Sequence, residues 1–140
     1  MKKVLILGST GSIGQSTLEV IKANNKDFSI SGLVAKSNKK LLLEQANKFN
    51  VKKICLINND SKNDIFVSES EIEDLIFSDQ VDIVVAAISG IAGLKTILSS
   101  IKAGKRILIA NKEPLVAAGQ ILMKEAKKSN SELIPIDSEH

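Results

Sequence analysis

The sequence predicts an α/β domain built on a parallel sheet, because short apolar runs alternate with helical patterns along its 140 residues. The apolar runs are continuous, which is typical of strands that are buried on both faces of a parallel sheet. The segments between them carry apolar residues three and four positions apart, as amphipathic helices do. This alternation predicts right-handed crossovers, with helices on both faces of the sheet.

Each element has its own sequence signal, and six runs qualify as strands. The predicted strands are residues 4–7, 28–35, 53–57, 82–87, 106–110 and 132–136. The segment 58–79 is rich in polar residues, so we expect a loop there, with a short edge strand at 65–67 and a short helix at 70–77. No internal repeat or interdomain linker is visible, and residues 1–140 are expected to form one domain.

Four longer helical patterns are assigned by their apolar spacing. Ser12 is the expected N-cap of the first, Gly104 ends the third, and Pro114 suits the first turn of the last. The helices and their predicted inward-facing residues are 12–25 with Ile13, Val20 and Ile21; 38–49 with Leu42, Ala46 and Phe49; a helix with Leu94, Ile97, Leu98 and Ile101; and a helix with Leu115, Ala118 and Leu122.

Composition excludes several classes of function. The net charge of +3 is small and the lysines are dispersed, and with four Phe and no Tyr or Trp there is little to stack on bases, so no nucleic-acid partner is expected. The single cysteine, Cys55, excludes an internal disulfide, and its apolar run predicts a buried, inert thiol. No window reaches the roughly 18 apolar residues of a membrane helix. Because Met1 leads directly into the first strand, no signal peptide is expected, and we predict a cytoplasmic protein.

Three glycines, Gly8, Gly11 and Gly14, lie between the first strand and the first helix in a G-x-x-G-x-x-G pattern. Amides that open a helix lack internal partners and carry the positive end of its dipole, so they bind a diphosphate well. Glycines also occur in ordinary tight turns, which is the alternative. In the strand–loop–helix context, however, the pattern predicts dinucleotide binding and a Rossmann-type doubly wound parallel sheet with helices on both faces.

The end of the second strand indicates which dinucleotide is bound. Lys36, Ser37 and Asn38 follow this strand, and no carboxylate occurs before Glu44. An NAD enzyme usually places Asp or Glu here to bind the ribose 2′-OH, and a carboxylate would repel the 2′-phosphate of NADP. We therefore predict NADPH rather than NADH. The alternative is that these residues are simply exposed at the start of a helix.

Two later motifs also follow strands. Residues 110–113 (A-N-K-E) come after the fifth strand, at the edge where such sheets bind ligands, and this position favours a site facing the nicotinamide over the alternative of a solvated turn. Asp137 and Glu139 come after the sixth strand. Two carboxylates spaced in this way can converge on one hard divalent cation, or can be a polar terminus.

Taken together, these motifs resemble the 1-deoxy-D-xylulose 5-phosphate reductoisomerase family. The resemblance covers the whole chain, with L-G-S-T-G-S-I-G, N-K-E and D-S-E-H in the expected order. It implies an NADPH-dependent enzyme that rearranges 1-deoxy-D-xylulose 5-phosphate and reduces the product to 2-C-methyl-D-erythritol 4-phosphate, in the non-mevalonate route to isoprenoids. It further implies a phosphosugar substrate, Mg²⁺ or Mn²⁺, and a homodimer for the full-length enzyme, with no nucleic-acid or membrane partner.

The resemblance also implies roles for individual residues. The cofactor would be bound by Thr10, Gly11, Ser12, Ile13, Lys36, Ser37, Asn38, Asn111 and Glu113; the substrate by Lys112, Ser138 and Glu139; and the metal by Asp137 and Glu139. Lys112 and Glu139 would be catalytic, and His140 receives no role. One departure is Lys36, where the family often has Gly, so contacts there are expected to differ.

Members of this family are more than twice as long as this chain. The resemblance therefore implies that the catalytic and C-terminal helical domains are absent, and that the 140 residues bind NADPH without turning over substrate. Two other functions are weighed against this one. The chain could belong to another NADP-dependent dehydrogenase, such as a semialdehyde or dihydropicolinate reductase, or could be a non-catalytic NADP-sensing module.

Overall fold

The computed structural model describes residues 1–59, 65–110 and 113–136. Within them, six strands form one all-parallel sheet in the order β3-β2-β1-β4-β5-β6. The strands are β1 (Lys2–Leu7), β2 (Phe28–Ala35), β3 (Ile54–Leu56), β4 (Ile83–Ala86), β5 (Arg106–Ile109) and β6 (Glu132–Pro135), and the helices are α1 (Ser12–Ala23), α2 (Lys39–Phe49), α3 (Glu69–Phe77), α4 (Ile91–Lys102) and α5 (Glu113–Ser129).

The sheet separates two apolar clusters, as the predicted doubly wound fold requires. Side chains of α1 and α2 pack on one face, whereas those of α3, α4 and α5 pack on the other. The alternation is clearest in β1, where Val4 and Ile6 join the first cluster and Leu5 and Leu7 join the second. All four are at most 3% exposed, which confirms the prediction of a strand buried on both faces.

The start and the inner face of α1 differ from the prediction. Gly11, not Ser12, is the N-cap, with φ −79° and ψ 175°. Val20 is 56% exposed, whereas Leu18 and Ile21 are buried together with Gly14. The face therefore runs through positions 14, 18 and 21, because the close approach of the Gly14 backbone to Gly8 and Ser9 sets the rotation of the helix.

The segment after β3 also differs in part. No strand forms at 65–67, although the Val67 N–H donates to the Ile54 carbonyl at 2.8 Å. The predicted helix is confirmed as α3, where the Ser68 Oγ accepts from the Glu71 N–H at 3.1 Å. Residues 60–64 lie outside the described part of the chain.

The helices of the second half follow their sequence signals closely. Gly104 comes directly after the C-cap of α4 with φ +72°, a conformation that suits glycine. Pro114 lies in the first turn of α5, as predicted. The helix is interrupted at Ala118, whose φ of −135° is not helical. Beyond this point Leu122 and Ala126 are buried, so the second part of α5 anchors it to the sheet.

In the described residues, no helix combines the length and apolar character needed to cross a bilayer.

Cys55 is the middle residue of β3 and is 2% exposed, which confirms the prediction of a buried thiol. Burial, and to a lesser extent the negative charge of Glu69, raises the pKa of the Cys55 thiol from 9.0 to about 11. The thiolate is the reactive form of cysteine, so this thiol is inert at neutral pH.

We therefore expect Cys55 to resist Ellman's reagent at roughly pH 8 in the folded chain and to react once urea unfolds it. The unfolded thiol ionises near 9.0 while the folded thiol keeps its proton to about 11, so the contribution of Cys55 to stability is complete below pH 9.0 and is lost as the pH rises through this window. Urea denaturation at several pH values, with Cys55→Ala as the control that lacks this loss, measures the effect. Rapid labelling of the native protein by Ellman's reagent would contradict the expected protection of the thiol.

Candidate functional site

The glycine loop lies at the carboxyl edge of the sheet, between the ends of β1, β2 and β4. The amides of Gly8 and Ser9 both donate to the Val34 carbonyl, at 2.7 and 3.1 Å. Gly8 has φ +91°, and a Cβ placed on it would lie 2.6 Å from the Ala87 carbonyl oxygen. Only glycine fits at position 8, between the ends of β2 and β4, the two strands that flank β1.

The helix that follows the loop, α1, begins without a side-chain cap from any described residue. The Gly11 N–H donates to the Gly8 carbonyl at 3.2 Å, but the amides of Ser12 and Ile13 have no carbonyl one turn earlier in the helix. A Cβ placed on Gly11 would meet the Gly8 carbonyl oxygen only at 3.6 Å, an ordinary contact. The chain's own packing therefore does not require glycine at position 11, and the space above it is open to an anion.

Gly14 has a different role. A Cβ on it would lie 2.1 Å from the Gly8 carbonyl oxygen and 2.5 Å from the Ser9 Cα, closer than side-chain atoms approach a backbone. Because Gly14 has no Cβ, α1 packs directly against the loop. The three glycines thus serve a sharp turn, an open approach and a tight helix contact, which are the roles of the glycines in a dinucleotide-binding loop.

The predicted 2′-phosphate rim, Lys36, Ser37 and Asn38, lies beside this loop. These residues follow β2, and the Val34 carbonyl that holds the loop is two residues before Lys36. All three are exposed. The Asn38 Oδ1 accepts from the Leu41 N–H at 3.2 Å and caps α2. The rim is therefore the N-terminus of a second helix, which lies beside the N-terminus of α1.

A segment that the sequence did not single out also borders the loop. Residues 87–90 follow β4, and the Ala87 N–H donates to the Leu7 carbonyl at 2.8 Å. Gly90 is the N-cap of α4 with φ +85°, and a Cβ on Gly93 would lie 2.0 Å from the Ile88 carbonyl oxygen. The signal was present in the sequence, because Gly90 and Gly93 repeat the spacing of Gly11 and Gly14.

The strands that precede the two later motifs, β5 and β6, end at this same edge. The Ala110 N–H donates to the Ala86 carbonyl at 3.0 Å, and the Ile136 N–H to the Ile109 carbonyl at 2.7 Å. The predicted site residues Asn111, Lys112, Asp137, Ser138 and Glu139, and also His140, lie outside the described residues, and Glu113 is described only as the first residue of α5.

A cavity of about 530 Å³ lies at the opposite, amino edge of the sheet, lined by Lys2, Asp82, Arg106 and Glu132 among others. Arg106 Nε and Glu132 Oε1 are 2.7 Å apart, so these charges are paired with each other. Parallel α/β sheets bind ligands at their carboxyl edge, so we place the functional site at the glycine loop and not in this cavity. Residues 1–59, 65–110 and 113–136 contain no group of three metal-ligating side chains.

Comparisons with known proteins identify the family to which the chain is similar. The family model described as 1-deoxy-D-xylulose 5-phosphate reductoisomerase matches residues 4–119. The enzyme of that name from Actinobacillus pleuropneumoniae serotype 5b is 42% identical over 100% of this chain and 39% of its own length.

Two solved structures are similar over nearly all of the chain. The reductoisomerase from Zymomonas mobilis in complex with NADPH has a TM-score of 0.88 and 33% identity, over 99% of this chain and 39% of that one. A DOX-P reductoisomerase in complex with NADPH, fosmidomycin and magnesium has a TM-score of 0.89 and 38% identity, over 100% of this chain and 37% of that one. The chain thus spans about two-fifths of the length of these relatives. Family model, sequence identity and fold agree, and the chain belongs to the 1-deoxy-D-xylulose 5-phosphate reductoisomerase family.

Proposed function

We propose that this chain is the NADPH-binding part of an enzyme that converts 1-deoxy-D-xylulose 5-phosphate to 2-C-methyl-D-erythritol 4-phosphate. One observation carries the proposal. The open space above Gly11, at a helix start whose Ser12 and Ile13 amides face no helical acceptor, lies beside a rim with no carboxylate. Such a crevice suits a dinucleotide that carries a diphosphate and a further phosphate.

The described residues fit NADPH at both of its phosphate positions. Thr10, Gly11, Ser12 and Ile13 would bind the diphosphate through backbone amides. Lys36, Ser37 and Asn38 would bind the 2′-phosphate through an ammonium group, a hydroxyl and an amide. When bound, NADPH supplies the hydride for the reduction, and the task of the protein is to orient the nicotinamide and exclude water. Asn111 and Glu113 are proposed to contact the cofactor near that ring.

The metal and substrate residues are proposed from the family resemblance and from the chemistry of the side chains. Asp137 and Glu139 provide carboxylate oxygens, which hard divalent cations such as Mg²⁺ and Mn²⁺ prefer. Such a cation would supply Lewis-acid stabilisation of negative charge on substrate oxygens. Lys112, Ser138 and Glu139 are proposed to bind the phosphosugar, with Lys112 and Glu139 in catalytic roles.

The same proposal covers the organisation of the protein. Residues 1–140 would be the cofactor domain of a longer, homodimeric, cytoplasmic enzyme, and would bind NADPH without turnover when alone. Support for this comes from the coverage of the relatives, which is 39% of the first of them, and from the family resemblance.

Calorimetric titration of the chain with NADPH and NADH tests the proposal. We expect NADPH to bind at least about tenfold more tightly, which corresponds to about 1.4 kcal/mol. Lys36→Glu, an exposed substitution that places a carboxylate at the rim, should reduce this preference because it repels the 2′-phosphate. Equal affinities of the unaltered chain for the two cofactors would contradict the choice of NADPH, and binding of neither would contradict the cofactor site.

A further inference from the structure

Gln45 lies on α2 and is only 6% exposed, although it is polar. Its Nε2 donates to the Ser9 carbonyl at 2.8 Å, in a buried hydrogen bond between residues 36 positions apart. Ser9 precedes Thr10 and Gly11 in the glycine loop. A side chain from α2 therefore reaches under the loop that opens α1.

This hydrogen bond sets the orientation of a peptide group that faces the crevice. The carbonyl of Ser9 and the N–H of Thr10 belong to one planar trans peptide unit, in which they point in opposite directions. Because Gln45 holds the carbonyl on the buried side, the Thr10 N–H is turned toward the open side. Gln15 makes a similar contact with the next carbonyl, that of Thr10, at 2.9 Å, but this contact is exposed and water can replace it.

The surroundings of Gln45 indicate that stability alone does not account for it. Its Oε1 and the Oγ of the fully buried Ser9 have no hydrogen-bond partner among the described residues. A buried, unsatisfied polar atom costs about 1–3 kcal/mol. An unbranched apolar side chain such as Met would remove the unpaired Oε1 but would leave the buried Ser9 carbonyl without its donor, so the two costs offset and stability alone does not favour glutamine.

The helix that carries Gln45 begins at the last residue of the rim, since Asn38 is the N-cap of α2. The same helix therefore connects the 2′-phosphate rim to the loop for the diphosphate. We propose that Gln45 is a positioning residue, which aims the Thr10 amide at the cofactor diphosphate and sets the distance between this amide and the rim. This inference rests on the proposed function, because it assumes that the loop binds NADPH.

The test compares Gln45→Met with the unaltered chain, using two ligands and a melting curve. NADPH contacts both loop and rim, whereas adenosine 2′-monophosphate has no diphosphate and contacts the rim alone. We expect Gln45→Met to weaken NADPH binding about tenfold or more, measured by calorimetry, because the Thr10 amide is no longer aimed. Binding of adenosine 2′-monophosphate, measured by NMR titration, and the melting temperature should stay nearly unchanged.

Two further variants sharpen the comparison. Gln45→Leu also removes the donor without adding a charge, and should show the same split between the two ligands. Asn47→Met, an exposed substitution on the same helix, should change the affinity for neither NADPH nor adenosine 2′-monophosphate.

Each outcome decides between roles. Unchanged NADPH affinity in Gln45→Met would overturn the inference and leave the proposed function intact. Equal weakening of both ligands, or loss of folding, would assign Gln45 a purely structural role and also overturn it. Failure of the unaltered chain to bind NADPH would overturn the proposed function together with this inference.

Discussion

Gly11→Ala should weaken NADPH binding by about a hundredfold or more, equivalent to about 2.7 kcal/mol, while the chain remains folded. The new methyl group would have only the Gly8 carbonyl oxygen as a neighbour, at 3.6 Å, and the backbone angles of φ −79° and ψ 175° suit alanine. The fold should therefore lose no more than about 1 kcal/mol at this cap. The methyl group would, however, occupy the space through which a diphosphate reaches the amides of Ser12 and Ile13.

Calorimetry with NADPH and a urea denaturation curve together check this expectation. Gly119→Ala is the matched control, because a Cβ there meets nothing within 4 Å and the residue lies in helix α5, away from the glycine loop. This control should bind NADPH normally and be as stable as the parent or slightly more so. If Gly11→Ala kept full affinity, the loop would not be the site of the diphosphate, and the cofactor assignment would have to be abandoned.

Gly14→Ala should instead unfold or severely destabilise the protein, by about 3 kcal/mol or more. Its methyl group would lie 2.1 Å from one backbone oxygen and 2.5 Å from a backbone carbon, so α1 would have to move off the loop. That movement would open the packing of Leu18 and Ile21 against the sheet. Since a domain of this size is stable by only about 5–15 kcal/mol, the loss would be a large fraction of the total.

The midpoint of urea denaturation measures this effect, with circular dichroism reporting the remaining helix. Gly93→Ala offers an independent comparison at the start of α4, where a Cβ would lie 2.0 Å from the Ile88 carbonyl oxygen, and should be destabilising for the same reason. A stable Gly14→Ala variant that merely binds NADPH less tightly would show that the third glycine serves the ligand rather than the packing of the helix.

Most of the architecture could be predicted from local patterns. Continuous apolar runs indicated strands such as β1 and β4, because runs this short are typical of strands buried on both faces. Glycine and proline marked the turn at Gly8, the end of α4 and the start of α5, because their backbone preferences act within a few residues. The polar segment after β3 was predicted less well: the edge strand at 65–67 does not form, although the Val67 N–H reaches the Ile54 carbonyl of β3.

The glycine loop and the absence of a carboxylate after β2 are properties of the sequence by itself, and they determine both the fold class and the preference expected for NADPH. Only the tertiary structure decided which glycine meets backbone and which meets open space, that residues 87–90 border the loop, and that Gln45 is buried beneath Ser9. The reason is physical. These contacts join residues that are far apart in sequence, and they come about only when the parallel strands bring their carboxyl ends to one edge of the sheet.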